Sequence, residues 1–242
     1  MQIHFISDLH LSADRPGLVE IFERYLAGPA RQAHTLYILG DFFEYWAGDD
    51  DLEDPLNTRI AQGLAALAEG GCEIRFMAGN RDFLIGADFA ARARLTLLPD
   101  PSTIQLGEQT ALLCHGDALC TDDLPYQAFR QQVRNPAWQA HFLGQPLAVR
   151  KQIIAGARMQ SEAAKSGKAS EIMDINADAL AALLRAQGLP PLIIHGHTHR
   201  PATHPLTLDG QPIERWVLTD WHDDQGEVLI WEAGALRREK LS

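Results

Sequence analysis

The chain predicts an α/β sandwich in which helices cover a mixed sheet. Two observations carry that expectation. Short apolar runs rich in β-formers alternate with stretches whose apolar residues recur at helical spacing. Clusters of Asp, Asn and His stand directly behind the apolar runs, where open α/β sheets bind their ligands.

Ile3 to Ser7 reads as a first strand and ends in Asp8-Leu9-His10. Leu18, Ile21, Phe22, Tyr25 and Leu26 form one helical face between Gly17 and Leu26. Leu36-Tyr37-Ile38-Leu39 is a continuous apolar run of the kind buried on both faces, and it ends in Gly40-Asp41. Pro55 to Glu69 reads as a helix that Gly70-Gly71 stops. Glu73 to Ala78 is a strand ending in Gly79-Asn80-Arg81-Asp82, and Thr110 to Cys114 is one ending in His115-Gly116-Asp117. Ala177 to Arg185 is helical, with Gly188 and Pro190 as stops. Leu192-Ile193-Ile194 is a strand ending in His195-Gly196-His197-Thr198-His199, and Arg215 to Leu218 and Glu227 to Trp231 are two more.

The 242 residues are 46% hydrophobic and 22% charged, enough for one domain with a sizeable core. Such a composition excludes a disordered chain, a mini-protein and a collagen-like fibre. No apolar run approaches the roughly 18 residues of a membrane span, and Met1 to Ile6 lacks the order of a signal peptide. The net charge of −11 disfavours nucleic acid as a partner and fits a protein that commits carboxylates to metal ions. Cys72, Cys114 and Cys120 lack zinc-site spacing and read as buried reduced thiols.

Five strand ends thus carry D-x-H, G-D, G-N-x-D, H-G-D and G-H-x-H. Period-two spacing places Asp8 with His10, and His197 with His199, on one face of an extended strand end. It also sets His195 on the face of His197 and His199, within reach of a substrate. His4, His34, His141, His204 and His222 stand outside the motifs and read as structural or exposed. Each motif alone is weak, since a Gly-Asp behind a strand is often just a turn. Together, from Asp8 to His199, they resemble the calcineurin-like metallophosphoesterase superfamily.

That resemblance implies a sandwich of mixed β-sheets flanked by helices and two divalent cations about 3.5–4 Å apart. Asp41, alone in its motif, is the expected bridge. Asp8, His10 and His199 would complete one shell, and Asn80, His115 and His197 the other. Imidazole, carboxylate and amide oxygen without thiolate suit Mn²⁺, Fe²⁺, Co²⁺ or Zn²⁺. Many members carry His where this chain has Arg81. Arginine cannot give up a proton near neutral pH but clamps phosphate bidentately, which suits a leaving group that is itself a phosphate.

Longer stretches narrow the resemblance. Leu36 through Glu44, Gly79 through Leu84, His115 through Asp123, Ile172-Met173-Asp174 and His195 through Pro201 look like the UDP-2,3-diacylglucosamine diphosphatases of bacterial lipid A synthesis. The resemblance implies hydrolysis of UDP-2,3-diacylglucosamine to UMP and 2,3-diacylglucosamine 1-phosphate with two Mn²⁺. It also implies peripheral attachment to the cytoplasmic face of the inner membrane. Asn80 and Arg81 are the expected catalytic pair, and with His197 they would also touch substrate. Asp123, Ser161, Lys165 and Lys168 fall where that family contacts its lipid sugar.

A single metallophosphoesterase domain over residues 1–242 is expected, with a helical cap inserted at about 124–170. That segment holds seven basic residues, Arg130, Arg134, Arg150, Lys151, Arg158, Lys165 and Lys168, against the single acid Glu162. It also holds Tyr126, Phe129, Trp138, Phe142, Leu143, Leu147, Val149, Ile153 and Ile154. The expectation is that the apolar set lines a groove for acyl chains and the basic face meets anionic headgroups. An amphipathic hairpin with a solvated basic face is the plainer possibility. A generic nucleotide or dinucleoside polyphosphate phosphodiesterase would use the same metals but need no apolar cap. A metal-free scaffold would have lost ligands that this sequence keeps. No protein partner is indicated.

Overall fold

Leu36 to Leu39 shows how the layers arise. In strand β2 (Ala33–Leu39), Leu36 and Ile38 enter one core while Tyr37 and Leu39 enter another, because successive side chains point to opposite faces. With both faces covered, the strand is apolar throughout. The computed structural model describes residues 1–165, 174–223 and 225–241, with the backbone alone for residues 160–165.

β2 belongs to a six-stranded sheet. β1 (Gln2–Ile6), β2, β3 (Glu73–Met77) and β4 (Leu95–Leu98) run parallel, and β10 (Gly226–Glu232) and β11 (Ala235–Leu241) add antiparallel beyond β1. A second sheet orders β5 (Ser102–Leu106), β6 (Gln109–Cys114), β7 (Leu192–His195), β9 (Gln211–Val217) and β8 (Ala202–Leu208). Its three inner strands are parallel and its edges antiparallel. The strand pattern alone suggests helices over a mixed sheet, whereas the resemblance implies the sandwich of mixed sheets that the structure has. The molecule has two, because Ile3, Phe5, Leu39 and Met77 need a second apolar face, which Leu113 and Ile194 supply.

Helices close the outer faces. Leu18, Ile21, Phe22 and Tyr25 of α1 (Pro16–Ala27) and Ile60 and Leu64 of α2 (Pro55–Glu69) pack on Leu36, Ile38, Ile74 and Phe76. Leu180 and Leu184 of α7 (Ala177–Ala186) pack on Leu112, Ile193 and Ile213. α2 has sharp ends: Asp54 accepts from the backbone N–H groups of Leu56 and Asn57, Pro55 opens the first turn and Gly70 follows the last. The short α3 (Ala87–Ala93) is capped from outside, with the Asp49 carboxylate accepting from the N–H groups of Asp88 and Phe89 at 3.0 Å each. All three cysteines are buried.

α4 (Leu124–Val133), α5 (Pro136–Leu143) and α6 (Leu147–Lys165) follow one another above the sandwich. Among the described residues, their basic side chains do not form a solvated face. Arg130 pairs with Asp117 at 2.8 Å, Lys151 with Asp51 at 2.7 Å and Arg158 with Glu44 at 2.8 Å. Arg134 donates to the Gly79 carbonyl at 2.8 Å. Arg150 is only 1% exposed and donates to the carbonyls of Ala47 and Gln145 and to the Asp50 carboxylate. The charge reversal in this segment therefore docks the cap on an acidic body. The apolar set also divides: Phe142 lies in the main core, with Trp138 and Ile154 packed on it, while Phe129, Leu143, Val149 and Ile153 are exposed. Among the described residues no helix is long and apolar enough to cross a membrane.

Candidate metal centre

The loops behind β1, β2, β3, β6 and β7 meet at one end of the two sheets. They bring Asp8, His10 and His199 together as one triad and Asp41, His115 and His197 as another, with one ligand atom of each residue within 4.8 Å of the others in its triad. Asp41 faces both triads. Its Oδ2 is 3.8 Å from His10 Nε2, and its Oδ1 is 3.6 Å from His115 Nε2. Asn80 joins the second triad, its Oδ1 lying 3.0 Å from His115 Nε2. Imidazole rings of His115 and His197 stand 5.0 Å apart, and those of His10 and His199 5.4 Å apart.

The backbone reaches this arrangement differently from the extended strand ends predicted. Asp8, His10, Asp41, His197 and His199 all have positive φ, between 49° and 67°. That left-handed geometry turns side chains that would otherwise diverge toward a common point. The loops also cross closely. A Cβ on Gly196 would collide with the Asp8 carboxylate, and one on Gly79 with the backbone and carboxylate of Asp41. His195 ends β7 fully buried, with Nδ1 2.9 Å from the Gly196 carbonyl oxygen, and belongs to neither triad.

Three of the four histidines of the centre face a polar group with their other ring nitrogen. His115 Nδ1–H donates to the Leu39 carbonyl at 2.9 Å. His199 Nδ1 lies 3.3 Å from Asp220, and His10 Nδ1 lies 3.2 Å from Glu44. This support fixes tautomer and ring orientation as metal ligands require. Asp8 Oδ2 accepts from the Ser7 hydroxyl at 2.5 Å and the His197 N–H at 2.9 Å, leaving Oδ1 buried with no well-formed hydrogen bond, 3.4 Å from His199 Nε2. Both ring nitrogens of His10 are likewise buried without a well-formed hydrogen bond, Nδ1 meeting Glu44 as a close charged contact and Nε2 facing Asp41 at 3.8 Å. Orphaned acceptors that converge beside carboxylates are what a divalent cation satisfies, so these residues fit such an ion.

The electrostatics agree. Burial opposes ionisation of Asp8, but His199, His115 and His10 outweigh it and hold the carboxyl well below its usual range. Burial would lower His115, yet Asp41, Asp117 and Asp8 raise it to about 9. Burial also opposes a proton on His199, which Asp220 and Asp8 nonetheless push to about 10. His197 drops to about 4 through burial and repulsion by His115. The carboxylate field that holds protons on His115 and His199 favours a doubly charged ion in their place, while His197 is already neutral and ready to ligate.

Other predicted residues fall around this centre. The Arg81 N–H donates to Asp41 Oδ1 at 2.8 Å, and its guanidinium lies 3.7 Å from Glu44. Asp123 is buried and caps α4, accepting from the Tyr126 N–H at 3.2 Å. Lys168 lies outside the described residues, and so do the side chains of Ser161 and Lys165. Three carboxylates at the site were not singled out by the sequence. Asp82 takes the N–H groups of Phe42 and Gly79 at 2.7 Å each and so ties two ligand loops together. Burial and Asp41 raise its carboxyl to about 6. Asp117 pairs with Arg130 and accepts from the Tyr126 hydroxyl, whose ring stacks 6.1 Å from that of His197. Asp220 backs His199. Only Asp82 and Asp117 sat inside recognised motifs, where a carboxylate next to a ligand could have been read as a brace. A cleft of about 750 Å³ at the other end of the sandwich, lined by Pro191, Trp216, Trp231 and Leu236 among others, is reached by none of the five motifs.

The family model of calcineurin-like phosphoesterases matches residues 1–201. A protein of Aromatoleum aromaticum named UDP-2,3-diacylglucosamine hydrolase is 59% identical, over 96% of this chain and 94% of its own. Proteins of the same name from Cellvibrio japonicus and Pseudomonas aeruginosa are 50% and 48% identical, each over at least 97% of both chains. The chain belongs to the calcineurin-like phosphoesterase family.

Proposed function

We propose that this member of the family is a metal-dependent hydrolase that cleaves the diphosphate of UDP-2,3-diacylglucosamine to UMP and 2,3-diacylglucosamine 1-phosphate. The observation that carries the substrate is the near-full-length likeness to hydrolases of that name. Asp8, His10 and His199 would hold one divalent cation, Asn80, His115 and His197 a second, and Asp41 both. When bound, such a pair lowers the pKa of water and withdraws charge from phosphoryl oxygens.

The chain's own residues do the rest. Asn80 and Arg81 sit on one loop whose backbone N–H is tied to Asp41, so ligand and guanidinium move together. Arg81 can take two phosphate oxygens through its planar fork and stabilise charge that grows in the transition state. It need not donate a proton, because a phosphate leaving group needs little protonation. We take the native ions to be Mn²⁺, with Fe, Co and Zn chemically admissible. Asp123, Ser161, Lys165 and Lys168 would meet the lipid sugar, and exposed Phe129 and Ile153 of the cap the acyl chains. With most cap cations engaged by the body, contact with the inner membrane's cytoplasmic face would rest on exposed apolar residues such as Leu124 and Met159. The test is a comparison of kcat/KM on UDP-2,3-diacylglucosamine and on a diadenosine polyphosphate with the Mn²⁺-loaded protein. Preference for the second would overturn the assignment.

A further inference from the structure

Glu44 stands where three parts of the molecule meet. Its backbone N–H donates to the Leu11 carbonyl at 3.1 Å, beside bonds of 2.9 Å from the N–H groups of His10 and Leu11 to the carbonyls of Asp41 and Phe42. The loop behind β2 is thereby zipped to the loop behind β1, which fixes Glu44 relative to His10. Buried rings of Phe43 and Trp46, 4.8 Å apart, support the same turn from below. The carboxylate then reaches three groups. Oε2 lies 3.2 Å from His10 Nδ1, while Oε1 lies 2.8 Å from Arg158 of α6 and 3.7 Å from Arg81. Leu39 and Asp220 hold His115 and His199 in the same manner, but neither is shown in contact with the cap.

Building on the two-cation reading above, we propose that Glu44 is a positioning residue that couples the cap to the metal centre. One carboxylate orients His10 with Nε2 toward the ion and anchors α6 through Arg158. Linkage then works in both directions: an ion on His10 favours a docked α6, and a docked α6 favours the ion.

Glu44→Gln keeps the shape and removes the charge. Mn²⁺ titration of the whole protein, followed by the spin resonance of free Mn²⁺, is expected to show one of two sites weakened about 10–100-fold and the other unchanged. Hydrogen exchange over residues 147–159 is expected to slow when wild type binds Mn²⁺ and to lose that response in Glu44→Gln. Saturating Mn²⁺ should recover kcat in the variant while α6 still exchanges fast, a split that a merely structural role does not produce. Arg158→Met removes the cap's arm alone. It should abolish the Mn²⁺ response of α6 and weaken the same Mn²⁺ site, and it keeps the question open to test if Glu44→Gln does not fold. Wild-type Mn²⁺ affinities in both variants, or an α6 that still responds to Mn²⁺, would overturn the coupling while leaving the metal centre intact. Failure of wild type to bind Mn²⁺ would overturn the metal centre itself, and the coupling with it.

Discussion

Arg150 is the pin that holds the cap, and replacing it should free the cap without unfolding the sandwich. The perturbation is Arg150→Met, which keeps the apolar stem and removes the guanidinium. Three hydrogen bonds are lost, to Ala47 O, Gln145 O and the Asp50 carboxylate. The Asp50 arm counts least, because that carboxylate is 58% exposed and water replaces its partner. The two carbonyl arms come from a charged donor that is 1% exposed, a setting in which each such bond contributes about 1.5–3 kcal/mol. The Gln145 carbonyl belongs to the cap itself, so only the Ala47 arm crosses to the body, and it contributes about 1.5–3 kcal/mol of docking free energy. Every 1.4 kcal/mol is a factor of ten, so α5 and the described part of α6 should exchange their amide hydrogens about 10–10² times faster. Strands β1, β2 and β7 should exchange as in wild type. The assay is hydrogen exchange read by mass spectrometry on peptides from each region. If α5 and α6 keep wild-type protection, or if all regions lose it equally, the cap is not a separately docked unit pinned by Arg150.

Asp41→Ala should lower bound metal from two equivalents to well under one, since both triads face that carboxylate; elemental analysis after gel filtration checks it. Arg81→Lys should keep the metal content and lose about 10²-fold or more in kcat on the diphosphate, because an ammonium has no planar fork; steady-state kinetics beside metal analysis separates the two. His4 offers a pH test. Burial lowers its folded pKa to about 4, against about 6.5 when unfolded. The unfolded chain therefore takes up a proton that the folded one refuses, and this contribution to stability is present above pH 6.5 and lost as pH falls toward 4. Urea unfolding across that range should show wild type weakening more steeply than His4→Asn, and parallel curves would contradict it.

Much of the interior was legible because it needs no partner to be recognised. Leu36 to Leu39 reads as a strand buried on both faces, and α2 reads to the residue because Pro55 and Gly70 mark its ends locally. The strands that went unread are β4, β5, β8 and β11, and they are the four edges of the two sheets. Edge strands carry what discourages further pairing. β11 reads Ala-Leu-Arg-Arg-Glu-Lys-Leu and β8 contains Pro205, so neither shows a strong apolar pattern. α3 escaped because its cap, Asp49, lies 39 positions before Asp88. At the site, strand-end motifs were visible, but the left-handed turn of Asp8 or His199 was not. Nor was the use of cap arginines, since Arg158 finds Glu44 only once α6 has been laid across the body.

The left-handed conformation of Asp8, His10, Asp41, His197 and His199 sets stability against activity. A strained non-glycine residue costs on the order of 1 kcal/mol or more, and five together are comparable to the whole net stability of a small domain, roughly 5–15 kcal/mol. Glycine would relax the backbone at any of these positions and delete a ligand at the same time. A lineage that no longer needed the reaction would therefore gain stability by discarding these residues, and random drift would take them early. Engineers seeking a hardier variant will therefore find the cheapest gains where they can least be accepted.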